Sequence, residues 1–189
     1  DNRNDVMKEK NQIGKMISHE RSNAKLTITQ LSRGLCSRTF LVRVENGERA
    51  CEKILADALL QRVGVSADKF VYMINPDEQD WLVLRKNLIE TVENGQEKKA
   101  AFLMKQYQTM AVKKSRLHYQ FMGFLQVMLE FNIGSDCSTM LKLLQDAWEI
   151  SMEDIPIERF EQENLTLTEF MIVVMYYRIK EQCESKDFA

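Results

Sequence analysis

Apolar residues recur three and four positions apart along almost the whole chain, and runs in which β-branched residues alternate with polar ones are missing. A period near 3.6 gives a helix one buried face, whereas a half-buried strand needs a period of two. Only Pro76 and Pro156 could break a helix outright, and glycines fall mostly where the periodic segments end. The expected fold is all-α. The pattern predicts helices over 12–24, 27–34, 37–45, 52–63 and 67–73, then longer ones over 77–93, 96–110, 114–131, 135–149 and 166–183. Thr27 and Ser37 are N-cap types, and Gly34, the Asn46-Gly47 pair and Gly64 suit helix ends, where a left-handed residue is needed. The polar residues 1–11 are expected to be flexible or disordered.

The chain has 189 residues, 44% of them apolar, enough for one large domain or two small ones. Its net charge of -2 hides an asymmetry. Up to Phe70 there are 13 Lys and Arg against 9 Asp and Glu, and beyond it 13 against 19. A basic front and an acidic rear point to two domains with different partners, 12–74 and 75–189, joined near Asn75 and Pro76.

Several function classes lose support at this level. Cys36, Cys51, Cys137 and Cys183 stand far apart with no C-x-x-C pair, which suits a reduced, cytoplasmic protein. No apolar run approaches 18 residues, and the polar start of the chain does not read as a signal peptide. No Ser/His/Asp or Cys/His set, phosphate-binding glycine loop or metal-ligand spacing is present, so no enzyme activity, cofactor or metal is expected. His19 and His118 read as surface or core-edge histidines, and Cys36 as a small apolar filler or, less simply, a redox-sensing thiol.

Residues 26–50, LTITQLSRGLCSRTFLVRVENGERA, carry the strongest functional signal. They read as a short helix, a tight turn at Gly34 and a second helix. That second helix offers Arg38, Thr39 and Arg43 on one face while Leu41 and Val44 point the other way, which is how a DNA-reading helix is built.

With Leu26-Thr27, Leu31, the Gly-Leu-Cys-Ser turn, Leu41-x-x-Val44-Glu45-Asn46-Gly47 and Arg62-Val63-Gly64-Val65-Ser66 in register, the segment 13–70 resembles the Xre/Cro-type helix-turn-helix domain of phage repressors and bacterial regulators. The resemblance implies a five-helix DNA-binding domain. By position it carries DNA contact to Ser37, Arg38 and Thr39 at the start of the reading helix, with Arg43 one turn later. An arginine there can bind guanine bidentately, worth about 1–3 kcal/mol of discrimination. Asn46 and Arg49 fall where the family meets backbone phosphates, and Val42 either touches a thymine methyl or is a tolerated surface valine. Arg21 and Glu45 match a family ion pair with a structural role. Ile28 replaces a glutamine that many relatives use to grip a phosphate, and the turn before the reading helix is one residue shorter than in phage repressors.

Beyond Pro76 the chain repeats one format, a helix of about 15 residues and a short polar break. Trp81, Leu84, Leu88 and Val92 form one apolar stripe, and Leu117, Phe121, Phe124 and Met128 another. Antiparallel pairs of this kind suit a helical solenoid of tetratricopeptide type, or an ordinary bundle used for dimerisation. Together with the front half they resemble the Rgg and PlcR type of regulators of Firmicutes. That resemblance implies a homodimer on double-stranded operator DNA, and repeats that take a short signalling peptide, as in quorum sensing. The alternative is a helical-repeat scaffold whose front domain docks to protein rather than DNA.

Overall fold

A computed structural model describes residues 2–66, 76–111 and 115–187, with side chains over 12–66, 78–111 and 115–185. The described residues are helical and contain no strand. The elements are α1 (Asn2–Asn23), α2 (Ile28–Ser32), α3 (Arg38–Glu45), α4 (Lys53–Arg62), α5 (Pro76–Glu93), α6 (Glu97–Ala111), α7 (Leu117–Ile133), α8 (Cys137–Met152), a 3-10 helix at Ile157–Gln162 and α9 (Leu167–Asp187). The short helix expected over 67–73 lies outside the described residues. No described helix is long and apolar enough to cross a membrane.

Two compact units emerge, one formed by Asp1–Gln79 with Asn164–Thr166 and the other by Asp80–Glu163 with Leu167–Ala189. The division therefore falls inside α5, five residues past the boundary expected after residue 74. A proline at the first helical position starts a helix without breaking it, and Pro76 heads α5, one residue before the expected helix start.

In the first unit, α1 begins at Asn2, not near Gln12. The helix thus takes in residues 2–11. That segment holds no proline or glycine, and once the packed turns of α1 have nucleated a helix, extending it costs little. Ile17, Leu31, Leu41, Val44, Leu55 and Leu59 form the core of this unit. Gly14 lets α1 approach α3 closely, because a Cβ at Gly14 would lie 1.9 Å from the Val44 carbonyl oxygen.

In the second unit α7 is the central element. Its apolar residues cover more than one face, with Leu117, Phe121, Phe124, Leu125, Val127 and Leu129 all buried, as expected of a helix with neighbours on several sides. It packs against α6, α8 and α9, and Asn132 Nδ2 donates to the Val92 carbonyl of α5 at 3.1 Å. His118 is buried, not at the surface, with Nδ1 2.6 Å from the Tyr107 hydroxyl. Gln120 Nε2 donates to Ser151 Oγ at 2.6 Å, and Ser151 Oγ donates to the fully buried Glu169 at 2.5 Å, tying α7, α8 and α9 together. The Trp148 indole N–H, also buried, reaches the Ile155 carbonyl at 2.6 Å.

Cys137 and Cys183 form a disulfide with their Cα atoms 6.2 Å apart. This corrects the reading of four reduced, unpaired cysteines. Their separation of 46 residues hid a proximity that arises only when α8 and α9 pack. On its outer side α9 exposes Leu167, Phe170, Val174 and Tyr177, an apolar seam at alternating spacings of three and four.

Candidate nucleic-acid interface

The turn between α2 and α3 is built from caps. Thr27 accepts the Gln30 N–H at 3.2 Å, and Gln30 Oε1 accepts the Thr27 N–H at 2.8 Å, a reciprocal capping box at the head of α2. Gly34 takes a positive φ of 70°, which turns the chain after α2. Ser37 then caps α3 by accepting the Phe40 N–H at 3.2 Å. One lone pair of this candidate contact is thus committed to the helix, although the side chain is exposed.

With its ends set, α3 divides cleanly. Leu41 and Val44 are buried, while Arg38, Thr39, Val42, Arg43 and Asn46 are exposed. Spacings of one, four, five and eight from Arg38 put these five side chains on one continuous face. Val42 is 41% exposed, a valine that the core does not use. Arg49 follows in the loop, exposed, with its guanidinium 5.4 Å from the centre of the Phe40 ring. Ile28 is half-buried.

The face is held in place by an ion pair. The Arg21 guanidinium of α1 donates from Nε and Nη2 to the two carboxylate oxygens of Glu45 at 2.7 and 2.8 Å. Nη1 donates to the Leu26 carbonyl at 2.9 Å. The Glu45 carboxylate, chiefly through these bonds, raises the Arg21 pKa above its ordinary value. A bidentate fork fixes direction as well as distance, which locks the C-terminal half of α3 against α1.

Glu48 is a residue of this surface that the sequence reading passed over. It stands 3.6 Å from Arg43 Nε and accepts from Asn46 Nδ2 at 3.1 Å. Its sequence signal was an acid among basic residues, next to Gly47. Gly14 also went unnoticed as a packing residue, although a glycine inside a helix is costly enough to ask for a reason.

The cysteines near α3 are chemically quiet. Burial pushes the Cys36 thiol up to about 11. Burial, Cys36 and the Glu78, Glu52 and Asp57 carboxylates push Cys51 well above its ordinary value. Both remain protonated thiols at neutral pH, which favours the role of apolar filler over that of redox sensor for Cys36. No family model, curated protein or solved structure matches this chain.

Proposed function

We propose that this protein is a sequence-specific DNA-binding transcriptional regulator that reads DNA with the exposed face of α3. A single observation carries the reading: Arg38, Thr39, Val42, Arg43 and Asn46 lie together on a solvent-facing side of a helix whose other side is core. Arg38 and Thr39 contact base edges, Arg43 reaches a base or phosphate, and Asn46 and Arg49 position the phosphate backbone. The capped turn and the Arg21–Glu45 fork present that face rigidly, which suits a site that must hold its register on a duplex.

The reading includes a homodimer on two half-sites about one helical turn, ~34–36 Å, apart or a multiple of it. The second unit, read as tetratricopeptide-like repeats, supplies the dimer contact and a surface for a short peptide signal. The α9 seam of Leu167, Phe170, Val174 and Tyr177 supports the dimer, since a stripe at this spacing is what a second helix packs into. The same seam favours the second reading, a scaffold that binds only protein.

Sites enriched from random DNA, tested by titration at moderate salt, decide between them. Arg38→Ala and Arg43→Ala each weaken binding to the enriched site by about tenfold or more. Unchanged affinity in both variants sinks the assignment of α3, and no DNA enrichment together with retained protein partners favours the scaffold. A monomer mass by light scattering at about tens of micromolar counts against the dimer.

A further inference from the structure

From Lys25 to Ala50, all of them described residues, the exposed charged side chains are Lys25, Arg33, Arg38, Arg43, Glu48 and Arg49. Glu48 is the sole anion in that set. Its position is fixed by the backbone. Gly47 adopts φ 74°, its N–H reaches the Val44 carbonyl at 2.9 Å, and the Glu48 N–H reaches the Arg43 carbonyl at 2.8 Å. These are the paired bonds of a Schellman helix end, and they set Glu48 beside Arg43 and Asn46. One carboxylate oxygen accepts from Asn46 Nδ2 at 3.1 Å, and the other lies 3.6 Å from Arg43 Nε.

Helix stability does not account for this acid. An anion beyond the C-terminus of α3 meets the negative end of the helix dipole. The Arg43 and Glu48 side chains are 47% and 54% exposed, and ion pairs in such settings contribute little. What the carboxylate does is occupy the cation and the amide that would otherwise be open to a phosphate.

We propose that Glu48 is an internal stand-in for phosphate that sets the specificity of the α3 face, a role that rests on the DNA-binding reading above. In the unbound protein it holds Arg43 and Asn46. On non-matching DNA, Arg43 exchanges a carboxylate for a phosphate oxygen, gains little, and brings phosphate against the Glu48 charge. On a matching site, Arg43 exchanges one loose carboxylate contact for two directed acceptors, such as the O6 and N7 edge of a guanine. Glu48 therefore weakens non-specific binding more than specific binding.

The test compares the full chain with Glu48→Gln, Arg43→Ala and the double variant. Each is titrated by fluorescence anisotropy against a random-sequence duplex and a duplex enriched by selection, over a range of salt. Glutamine keeps an acceptor for Asn46 and removes only the charge. Glu48→Gln binds the random duplex about five- to tenfold more tightly at low salt, with a salt slope steeper by about one ion. It gains less on the enriched duplex, and the gain shrinks in the Arg43→Ala background. A parent that binds DNA with Glu48→Gln unchanged or weaker on the random duplex overturns this role of Glu48 alone. So does an equal gain on both duplexes, or one independent of Arg43. If no member of the set binds either duplex, the DNA-binding reading falls and the Glu48 role falls with it.

Discussion

Gly14 of α1 and Val44 of α3 are in backbone contact: a single methyl group added at Gly14 would sit 1.9 Å from the Val44 carbonyl oxygen. The obstacle is main chain, which cannot rotate away as a side chain can. The position of α3, and of the residues proposed to meet DNA, depends on the absence of that methyl.

Gly14→Ala is therefore expected to destabilise the first unit by about 2–3 kcal/mol, the cost of overpacking, even though alanine is the better helix former. Urea unfolding measures this. Gly123→Ala offers a contrast, because its Cβ would meet the Ala147 Cβ at 3.1 Å and that neighbour needs to give by only a few tenths of an ångström. A stability loss for Gly14→Ala no larger than that for Gly123→Ala would show that α1 and α3 can slide apart without cost.

The Arg21–Glu45 fork is largely withdrawn from water, with side chains 17% and 8% exposed. Removing either partner strands the other charge, so Arg21→Ala and Glu45→Ala each cost about 3 kcal/mol. The double variant Arg21→Ala with Glu45→Ala costs clearly less than the sum, since no lone charge is left behind. A double-mutant cycle by chemical denaturation checks this, and additive losses would remove the pair from any role in holding α3.

The Cys137–Cys183 bridge closes a loop of 46 residues and anchors the C-terminal part of α9 to the head of α8. Reduction, or Cys137→Ser, is expected to lower the stability of the second unit by about 2–4 kcal/mol. Cys36→Ser is the control and responds to reductant as the parent does. Thiol titration in denaturant without reductant finds Cys36 and Cys51 alone reactive; four reactive thiols would rule the bridge out.

Asp136 caps α8 by accepting the Thr139 N–H at 2.9 Å. Bonds from the Thr139 hydroxyl and N–H hold its carboxyl below the usual carboxylate range. A pKa lower in the folded than in the unfolded state stabilises the fold above the unfolded value, about 3.9. That contribution is lost as pH falls through the folded-state pKa. The Tyr176 hydroxyl lowers Glu158 in the same direction. Asp136→Asn keeps a cap but cannot titrate, so its urea midpoint falls less steeply than the parent's below about pH 4. Parallel acid limbs would show that the cap is lost in solution.

Much of the fold was legible because it is local. Thr27, Ser37, Gly34, Gly47 and Gly64 mark ends of α2, α3 and α4 through bonds that span only a few residues, and the apolar stripes around Leu88 and Phe121 have the helical period built in. The face of α3 was readable for the same reason, since Leu41 and Val44 alternate with Arg38, Val42 and Arg43 at helical spacing. Glu48 was harder. Its side chain acts on Arg43 only through the backbone turn at Gly47, and composition records it as one more acid.

By itself the sequence determined that the chain is helical, where α2 to α4 begin and end, and which side of α3 carries charge, because each depends on neighbours within about one turn. Only tertiary structure decided that Gly14 must stay bare, that Cys137 finds Cys183, that His118 and Glu169 are buried, and that the first unit extends into α5. Each of those depends on residues brought together by packing, and a linear pattern carries no record of distance through space.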